Sequence, residues 1–228
     1  MMRSARTAGA DILDADVRST KDGVLVAAHD DAVTLKSGAA ISIANTTYAE
    51  IRRVDLGDVW AGPAGKYPLA GKHVSVPTIE SVLRTFPADR VGLELKTDGA
   101  EAALCGLLRS LNRTGEVFVS SGGDGPVTRF KSICPEAVTT VTDAMEREYL
   151  DAEATNSPWC APVSIGQPPL AFQDFHLTKE NVVWDHDHGL ADYTWTANSD
   201  AALRAVALLG VDAVYTDRPD PARAILNR

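Results

Sequence analysis

The sequence predicts a single α/β domain, a (β/α)₈ barrel that is one βα unit short. Short β-branched runs alternate with stretches of helical spacing, and this alternation is typical of parallel strands joined by crossover helices. One strand per unit gives seven strands. The sequence lacks the glycine-rich loop of nucleotide-binding proteins, which would favour another α/β fold. The chain has no internal repeat and no linker, so we expect one domain over residues 1–228.

Seven apolar runs are the predicted strands of this barrel. In chain order they are Ile12–Val17, Val91–Leu95, Val117–Val119, Ala137–Val141, Ala161–Ile165, Asp192–Trp195 and Ala213–Tyr215. One further run, Val24–Ala28, follows the Asp22-Gly23 turn signal and is predicted to form a hairpin arm beside the first strand.

The stretches between strands have the spacing of helices with one buried face. Glu80–Phe86 follows a Pro-Thr helix start, and Ala100–Leu111 carries apolar residues at helical intervals. Ala201–Leu209 repeats this spacing and stops at Gly210, which is typical of a helix C-cap. The segment Asp31–Val76 fits no βα period, so we expect a small insertion on the barrel rim.

The acidic balance of the chain excludes two broad functions. The 31 Asp and Glu residues outnumber the 22 Lys and Arg residues, which gives a net charge of −9. Nucleic-acid binding and binding to an anionic membrane both need positive faces, so we expect neither. No apolar run is long enough for a transmembrane helix. The N-terminus lacks the apolar core of a signal peptide, which favours the cytoplasm for the sequence as given.

Three cysteines, Cys105, Cys134 and Cys160, lie 29 and 26 residues apart. Their odd number and the lack of a Cys-x-x-Cys motif argue against a disulfide framework and against a structural zinc site. We therefore expect buried, reduced thiols.

Carboxylates at predicted strand ends indicate where the functional site lies. Asp14 and Asp16 are two residues apart on the first strand, so both side chains point to the same face. Glu94 and Lys96 have the same spacing at the end of the next barrel strand, where β/α barrels carry their active sites. Three converging carboxylates suit Mg²⁺ or Ca²⁺. A buried ion-pair network with Lys96 explains the spacing equally well.

Two further residues lie at the predicted mouth of the barrel. His29 follows the hairpin arm and is a candidate general acid or base, although a surface or capping histidine is the commoner case. Trp195, near the end of a late strand, is either a core residue or the wall of an apolar ligand subsite. His186 and His188 are expected to stabilise the C-terminal end of a helix.

Seven sequence blocks follow one another along nearly the whole chain. They are Gly-Ala-Asp-Ile-Leu-Asp-Ala-Asp-Val at 9–17, Thr-Lys-Asp-Gly-Val-Leu-Val at 20–26, His-Asp at 29–30, Val-Pro-Thr-Ile-Glu at 76–80, Leu-Glu-Leu-Lys at 93–96, Trp-Thr-Ala-Asn at 195–198 and Gly-Val-Asp-Ala-Val-Tyr-Thr-Asp-Arg-Pro at 210–219. In this order the blocks resemble the glycerophosphodiester phosphodiesterase family, whose members are (β/α)₈ barrels with an insertion after the second strand.

The resemblance implies an activity and roles for the candidate residues. The implied roles are metal ligation for Asp14, Asp16 and Glu94, proton transfer for His29 as one of two catalytic histidines, phosphate contact for Lys96, and contact with the glycerol or alcohol moiety for Trp195. The implied reaction is the hydrolysis of glycerophosphodiesters to an alcohol and glycerol 3-phosphate, with a divalent metal, Mg²⁺ or Ca²⁺, as cofactor.

The chain departs from the family pattern at three places. The first strand with its His-Arg-Gly motif is missing, so we expect either a start site set too late or a truncated relative. Asp14 stands where the family usually carries a glutamate, and Ser121-Gly122 replaces the usual Ser-Phe. A missing N-terminal segment also leaves a secreted or periplasmic location open, and the oligomeric state stays open.

Two other functions compete with the hydrolase. A catalytically inactive barrel that binds metal or phosphodiester agrees with the missing histidine. A sphingomyelinase D-like phospholipid lyase shares the barrel, but the insertion and the Trp195–Asn198 block fit the phosphodiesterases better.

Overall fold

A computed structural model describes residues 2–60, 65–155, 157–160 and 163–226. The strands are β1 (Ile12–Ser19), β2 (Leu25–Ala27), β3 (Ala32–Thr34), β4 (Ala40–Ser42), β5 (Arg90–Leu95), β6 (Val117–Ser121), β7 (Val138–Thr139), β8 (Ile165–Gly166), β9 (Ala171–Phe172), β10 (Phe175–His176), β11 (Ala191–Thr194) and β12 (Ala213–Val214). The helices are α1 (Met2–Thr7), α2 (Tyr48–Ile51), α3 (Ile79–Thr85), α4 (Glu101–Ser110), α5 (Asp124–Ile133), α6 (Asp143–Thr155), α7 (Lys179–Asp187), α8 (Asp200–Leu209) and α9 (Pro219–Leu226).

The parallel strands follow one another in chain order. β1 pairs with β5, β5 with β6, and β6 with β7. β8, β11 and β12 form a second parallel group, and a bridge between Thr140 and Ile165 connects the two groups. The predicted series of seven parallel strands is therefore confirmed. Within the described residues β12 and β1 do not pair with each other. The edge of β12 that faces β1, which was predicted to lack a partner strand, is therefore unpaired in this part of the chain.

Some strand boundaries differ from the prediction. The hairpin arm is shorter than predicted, and β2 pairs antiparallel with the last residues of β1. β11 ends at Thr194, so Trp195 lies just beyond it. Of the predicted strand Ala161–Ile165, residues 161 and 162 lie outside the described residues, and β8 begins at Ile165.

The predicted helices are present, and short-range hydrogen bonds explain where they begin and end. The Thr78 hydroxyl accepts a hydrogen bond from the Ser81 N–H at the start of α3. The Ser199 hydroxyl caps α8 in the same way. Gly210 ends α8 with a φ of 89°, a left-handed conformation that favours glycine. No helix in the described ranges is long and apolar enough to span a membrane.

The main core lies between the first parallel strands and the helices that cover them. Fully buried side chains include Leu93 on β5, Leu104 and Leu108 on α4, Val119 on β6 and Phe130 on α5. Burial of such aliphatic and aromatic side chains contributes about 1.5–3 kcal/mol each to folding. This core fixes β1, β5 and β6 relative to one another, and these strands carry most of the candidate site.

The prediction of reduced thiols is wrong for two of the three cysteines. Cys105 on α4 and Cys134 after α5 form a disulfide, with their Cα atoms 5.8 Å apart. The two helices pack side by side, which brings both buried sulfurs together although 29 residues separate them in sequence. Cysteine spacing contains no information about this helix contact. Cys160 is exposed and unpaired.

The segment after β2 forms the expected insertion, without any βα unit. It consists of the β3–β4 hairpin, helix α2 and a short 3₁₀ helix over Leu56–Asp58. Its own small core comprises Ile43, Ile51 and Val76, packed against Val26 of β2. This core attaches the insertion to the strand that precedes His29.

The histidines near the end of α7 lie where they were predicted. The His186 imidazole forms an ion pair with Asp212, with Nε2 2.8 Å from the carboxylate. His188 Nδ1 lies 2.7 Å from the carbonyl oxygen of Trp184 in the last turn. Both contacts stabilise the end of the helix, so neither residue belongs to the candidate site.

A buried pair of acidic side chains lies between β11 and helices α6 and α7. Asp192 is fully buried, and no group of the described residues other than the acid Asp185 donates a hydrogen bond to its carboxyl oxygens. The carboxyl group of Asp185 interacts with it and also bonds to Tyr149. Burial first, and then the charge of Asp185, raise the pKa of Asp192. The pair therefore keeps a proton at a pH at which an exposed aspartate has lost its own.

This acid pair predicts a pH-dependent stability. Its contribution is fully present below the ordinary pKa of aspartate and is lost as the pH rises through the raised pKa of the pair. Asp192→Asn should therefore flatten the decrease of the unfolding free energy between about pH 5 and pH 9, measured by urea denaturation. The matched control is Asp187→Asn, which changes an exposed aspartate at the end of the adjacent helix α7. Equal pH slopes for Asp192→Asn and the wild type would contradict the shared proton.

Candidate active site

The pairing of β1 with β5 sets the geometry of the site. Asp16 lies directly opposite Glu94, and Asp14 lies opposite Gly92. Since strand side chains alternate between faces, Asp14, Asp16 and Glu94 all point to one face of the sheet. The predicted clustering of these three carboxylates at the ends of adjacent strands agrees with this register.

Lys96 lies between two of the carboxylates. Its Nζ is 3.1 Å from Asp16 Oδ1 and 2.7 Å from Glu94 Oε1. Desolvation alone would lower the pKa of Lys96, but the hydrogen bonds and charges of Glu94 and Asp16 raise it. The lysine therefore stays positively charged, and the ion-pair network that the sequence left open is present.

Asp14 lies two residues before Asp16 on β1, and its pKa is raised to about 7. Desolvation is the main cause, followed by the charges of Asp16 and Glu94, while Lys96 acts in the opposite direction. Part of its surface is still accessible to solvent, although protein atoms surround it on the inner side. The single ammonium thus does not balance three carboxylates, and Asp14 is the member of the cluster that most readily takes up a proton.

Gly92 provides the space that Asp14 occupies. A Cβ atom at this position would lie 2.6 Å from Asp14 Oδ1 and would overlap the ring of Phe118. Phe118 itself packs edge-on against Tyr193, with ring centroids 5.7 Å apart, and so cannot easily move away. From the sequence, Gly92 was interpreted only as a residue of a strand. No local pattern indicates that Asp14 and Phe118 come so close to it.

His29 lies at the end of the hairpin arm, at the level of Asp16. The Ala28 N–H donates to the Asp16 carbonyl at 3.0 Å, and the Arg18 guanidinium donates twice to the His29 carbonyl, at 3.0 and 2.7 Å. The side chain is 75% exposed, and its Nδ1 lies 2.9 Å from Asp30 Oδ1. These contacts hold the backbone of His29 in place and leave its imidazole open to solvent.

Trp195 belongs to the surface of the site and not to the core. Its side chain is 41% exposed, and its indole N–H donates to the Gln167 carbonyl at 2.7 Å. The ring of Phe172, on the β9–β10 hairpin, lies 6.5 Å away between centroids. Of the two sequence interpretations, this placement agrees with an apolar wall.

Two residues that the sequence did not single out connect Trp195 with the carboxylates. The Gln167 side-chain amide donates a hydrogen bond to the hydroxyl oxygen of Tyr215, the residue that follows β12. Burial, then the charge of Asp14, and more weakly that of Glu94, raise the pKa of Tyr215. The phenol therefore lies beside the carboxylates. Its position as the last residue of the final predicted strand, Ala213–Tyr215, was the available signal.

The donor set suits a hard divalent cation, but the arrangement is not a closed metal cage. Carboxylate oxygens are the ligands that Mg²⁺ and Ca²⁺ prefer. Within the described part of the chain, the carboxylates of Asp14, Asp16 and Glu94 do not form a group with all ligand atoms within 4.8 Å of one another. Lys96 lies between two of them, so a cation would need these side chains to rearrange.

The fold and the charged cluster define a β/α-barrel protein whose functional site lies at the carboxyl ends of its parallel strands. The sequence matches the Glycerophosphoryl diester phosphodiesterase family over residues 1–221, and the chain belongs to this family. The resemblance drawn from the sequence blocks is thereby confirmed.

Individual relatives are similar over nearly the whole chain. A glycerophosphodiester phosphodiesterase of Bacillus subtilis is 26% identical over 234 aligned residues, which cover 95% of this chain and 77% of the relative. A glycerophosphoryl diester phosphodiesterase domain from Mycobacterium tuberculosis has a TM-score of 0.81 at 18% identity, covering 97% of this chain and 90% of that one. A phosphodiesterase of Oleispira antarctica, solved with the product sn-glycerol-3-phosphate, has a TM-score of 0.73 at 18% identity, covering 100% and 89%. These structures confirm the predicted barrel fold.

The close contact at Gly92 gives a direct test of the site geometry. Gly92→Ala should destabilise the protein by about 1–3 kcal/mol, because the new methyl group displaces Asp14 or Phe118. Urea denaturation measures this change. Gly106→Ala on α4 is the matched control, since nothing lies within 4 Å of a Cβ there. Helix propensity predicts equal or higher stability for this control. Equal stabilities of both variants would contradict the described packing.

Proposed function

We propose that this chain hydrolyses glycerophosphodiesters, releasing an alcohol and glycerol 3-phosphate. The observation that carries the proposal is the cluster of Asp14, Asp16, Glu94 and Lys96 at the ends of two paired parallel strands. Membership of the phosphodiesterase family supports it. A relative of the same fold, solved with sn-glycerol-3-phosphate, supports the class of substrate.

Asp14, Asp16 and Glu94 are the residues proposed to hold a divalent cation, Mg²⁺ or Ca²⁺. The raised pKa of Asp14 supports this, because a nearby cation would relieve the repulsion from Asp16 and Glu94. When bound, the cation supplies charge neutralisation for the phosphoryl oxygens. Lys96 would then exchange one of its carboxylate contacts for a phosphoryl oxygen, which its ammonium binds as a point charge.

His29 is proposed to transfer a proton at the reacting oxygen atoms. Its imidazole is exposed at the mouth, beside the strand end that carries Asp16, and Asp30 orients its Nδ1. Histidine is the side chain most often used for proton transfer in active sites. Trp195 and Phe172 are proposed to line the side on which the leaving alcohol binds. In this proposal residues 1–228 act as one barrel domain, with the insertion of about residues 31–76 beside His29.

A second candidate is a barrel that binds phosphodiesters without turnover. The unpaired edge between β12 and β1 favours it, since no strand of the described residues supplies a second histidine there. The argument against a lyase rested partly on the expected absence of a disulfide pair, and the disulfide between Cys105 and Cys134 removes that objection. Product identity separates the lyase from the hydrolase, because a lyase leaves a cyclic phosphate.

The test is hydrolysis of glycerophosphocholine with Mg²⁺, with Ca²⁺ and with EDTA. We expect glycerol 3-phosphate as product, loss of turnover in EDTA, and a decrease of kcat of about 100-fold in Glu94→Gln. His29→Gln should lower kcat by about 10²–10⁴-fold, the usual contribution of a proton-transfer group. Glu80→Gln on α3 is the matched control, because its carboxylate pairs only with the exposed Arg84 on the same helix among the contacts described.

Three other outcomes would contradict the proposal in different ways. Turnover that neither EDTA nor Glu94→Gln changes would place the reaction outside the carboxylate cluster. Metal binding without turnover would establish the inactive barrel. A cyclic phosphate as the end product would establish the lyase.

A further inference from the structure

A chain of hydrogen bonds leads from the aromatic wall of the site to its carboxylates. The Trp195 indole N–H donates to the Gln167 backbone carbonyl at 2.7 Å. The side chain of the same Gln167 donates through Nε2 to the hydroxyl oxygen of Tyr215. A backbone bridge between Pro169 and Trp195 and the Leu170 N–H bond to the Trp195 carbonyl hold this loop against the end of β11.

The direction of the second hydrogen bond determines what the phenol can do. Because the Gln167 amide donates, the Tyr215 oxygen acts as the acceptor, and the phenol hydrogen remains for another acceptor. Tyr215 directly follows β12 at the carboxyl end of the parallel strands, the end at which Asp16 and Glu94 lie on β1 and β5, and it interacts electrostatically with Asp14 and Glu94. An anionic group bound at the carboxylate cluster is therefore the acceptor that the phenol would meet.

Charge at the site explains why such a donor matters. The Lys96 ammonium already contacts two carboxylates, Asp16 and Glu94. A phosphodiester that enters this cluster meets three acidic side chains and one cation of the protein. A phenol hydroxyl is neutral and donates a hydrogen bond to a phosphoryl oxygen without losing its proton.

We propose that Tyr215 is a hydrogen-bond donor to the phosphoryl group of the substrate, and that Gln167 is the positioning residue that aims it. The inference rests on the proposed function for the identity of the ligand. The phenol would then contact the substrate from the side of β12, whose other edge pairs with no strand of the described residues. Lys96 follows β5 and Tyr215 follows β12, so the two residues would contact the phosphoryl group from different strands.

The experiment compares Tyr215→Phe with the wild type in two measurements. Calorimetric titration with sn-glycerol 3-phosphate in the presence of Mg²⁺ measures binding, and glycerophosphocholine hydrolysis measures kcat and KM. Removing one hydrogen bond to a charged acceptor should weaken binding by about 10- to 100-fold and lower kcat/KM by a similar factor. The urea midpoint should stay close to that of the wild type, since only one hydroxyl is removed.

Gln167→Leu tests the positioning role, because it removes the amide donor and keeps the approximate size of the side chain. We expect a smaller loss of affinity than in Tyr215→Phe, and no further loss when the two changes are combined. Tyr67→Phe is the matched control. Its ring is exposed in the insertion and contacts Lys36 through its face, so loss of this hydroxyl should change neither binding nor turnover.

The outcomes separate this inference from the proposed function. If the wild type hydrolyses glycerophosphocholine and Tyr215→Phe equals Tyr67→Phe in affinity and kcat/KM, the role of Tyr215 is overturned and the hydrolase stands. If the wild type binds sn-glycerol 3-phosphate without turnover, the hydrolase fails and the affinity of Tyr215→Phe still decides the inference. If the wild type neither hydrolyses glycerophosphocholine nor binds sn-glycerol 3-phosphate, both are overturned.

Discussion

The parallel pairing of β1 with β5 is the constraint on which the site depends. This register places Asp16 opposite Glu94 and Asp14 opposite Gly92, and a shift by one residue would move both aspartates to the helix-facing side. The buried core around Leu93 and Val119 fixes the register, because these side chains pack against the covering helices. The charges of the site are thus held together by apolar packing on the other face of the same strands.

Electrostatic imbalance is the second property of the site, and it follows from this register. Lys96 neutralises part of the charge of Asp16 and Glu94, and desolvation together with the remaining repulsion raises the pKa of Asp14. Such a cluster has a structural cost, since like charges in proximity oppose folding. A bound cation would relieve this repulsion and could in turn bind a phosphodiester. The imidazole of His29 is exposed at the same end of the barrel.

Local sequence patterns predicted the features that depend on strand periodicity. The two-residue spacings of Asp14 with Asp16 and of Glu94 with Lys96 define a face and a strand end, so the cluster could be predicted without coordinates. Features that depend on contacts between distant segments could not. The disulfide between Cys105 and Cys134 needs the packing of two helices. The bond between Gln167 and Tyr215 joins residues 48 positions apart in sequence.

The most direct test of the central claim is to locate a divalent cation by anomalous diffraction from crystals soaked in Mn²⁺, an ion with the oxygen-ligand preference of Mg²⁺. We predict one strong anomalous peak bounded by the carboxylates of Asp14, Asp16 and Glu94, with the Lys96 ammonium displaced from at least one of them. A structure without a peak there, in which Lys96 still bridges Asp16 and Glu94, would show that the cluster is a structural ion-pair network.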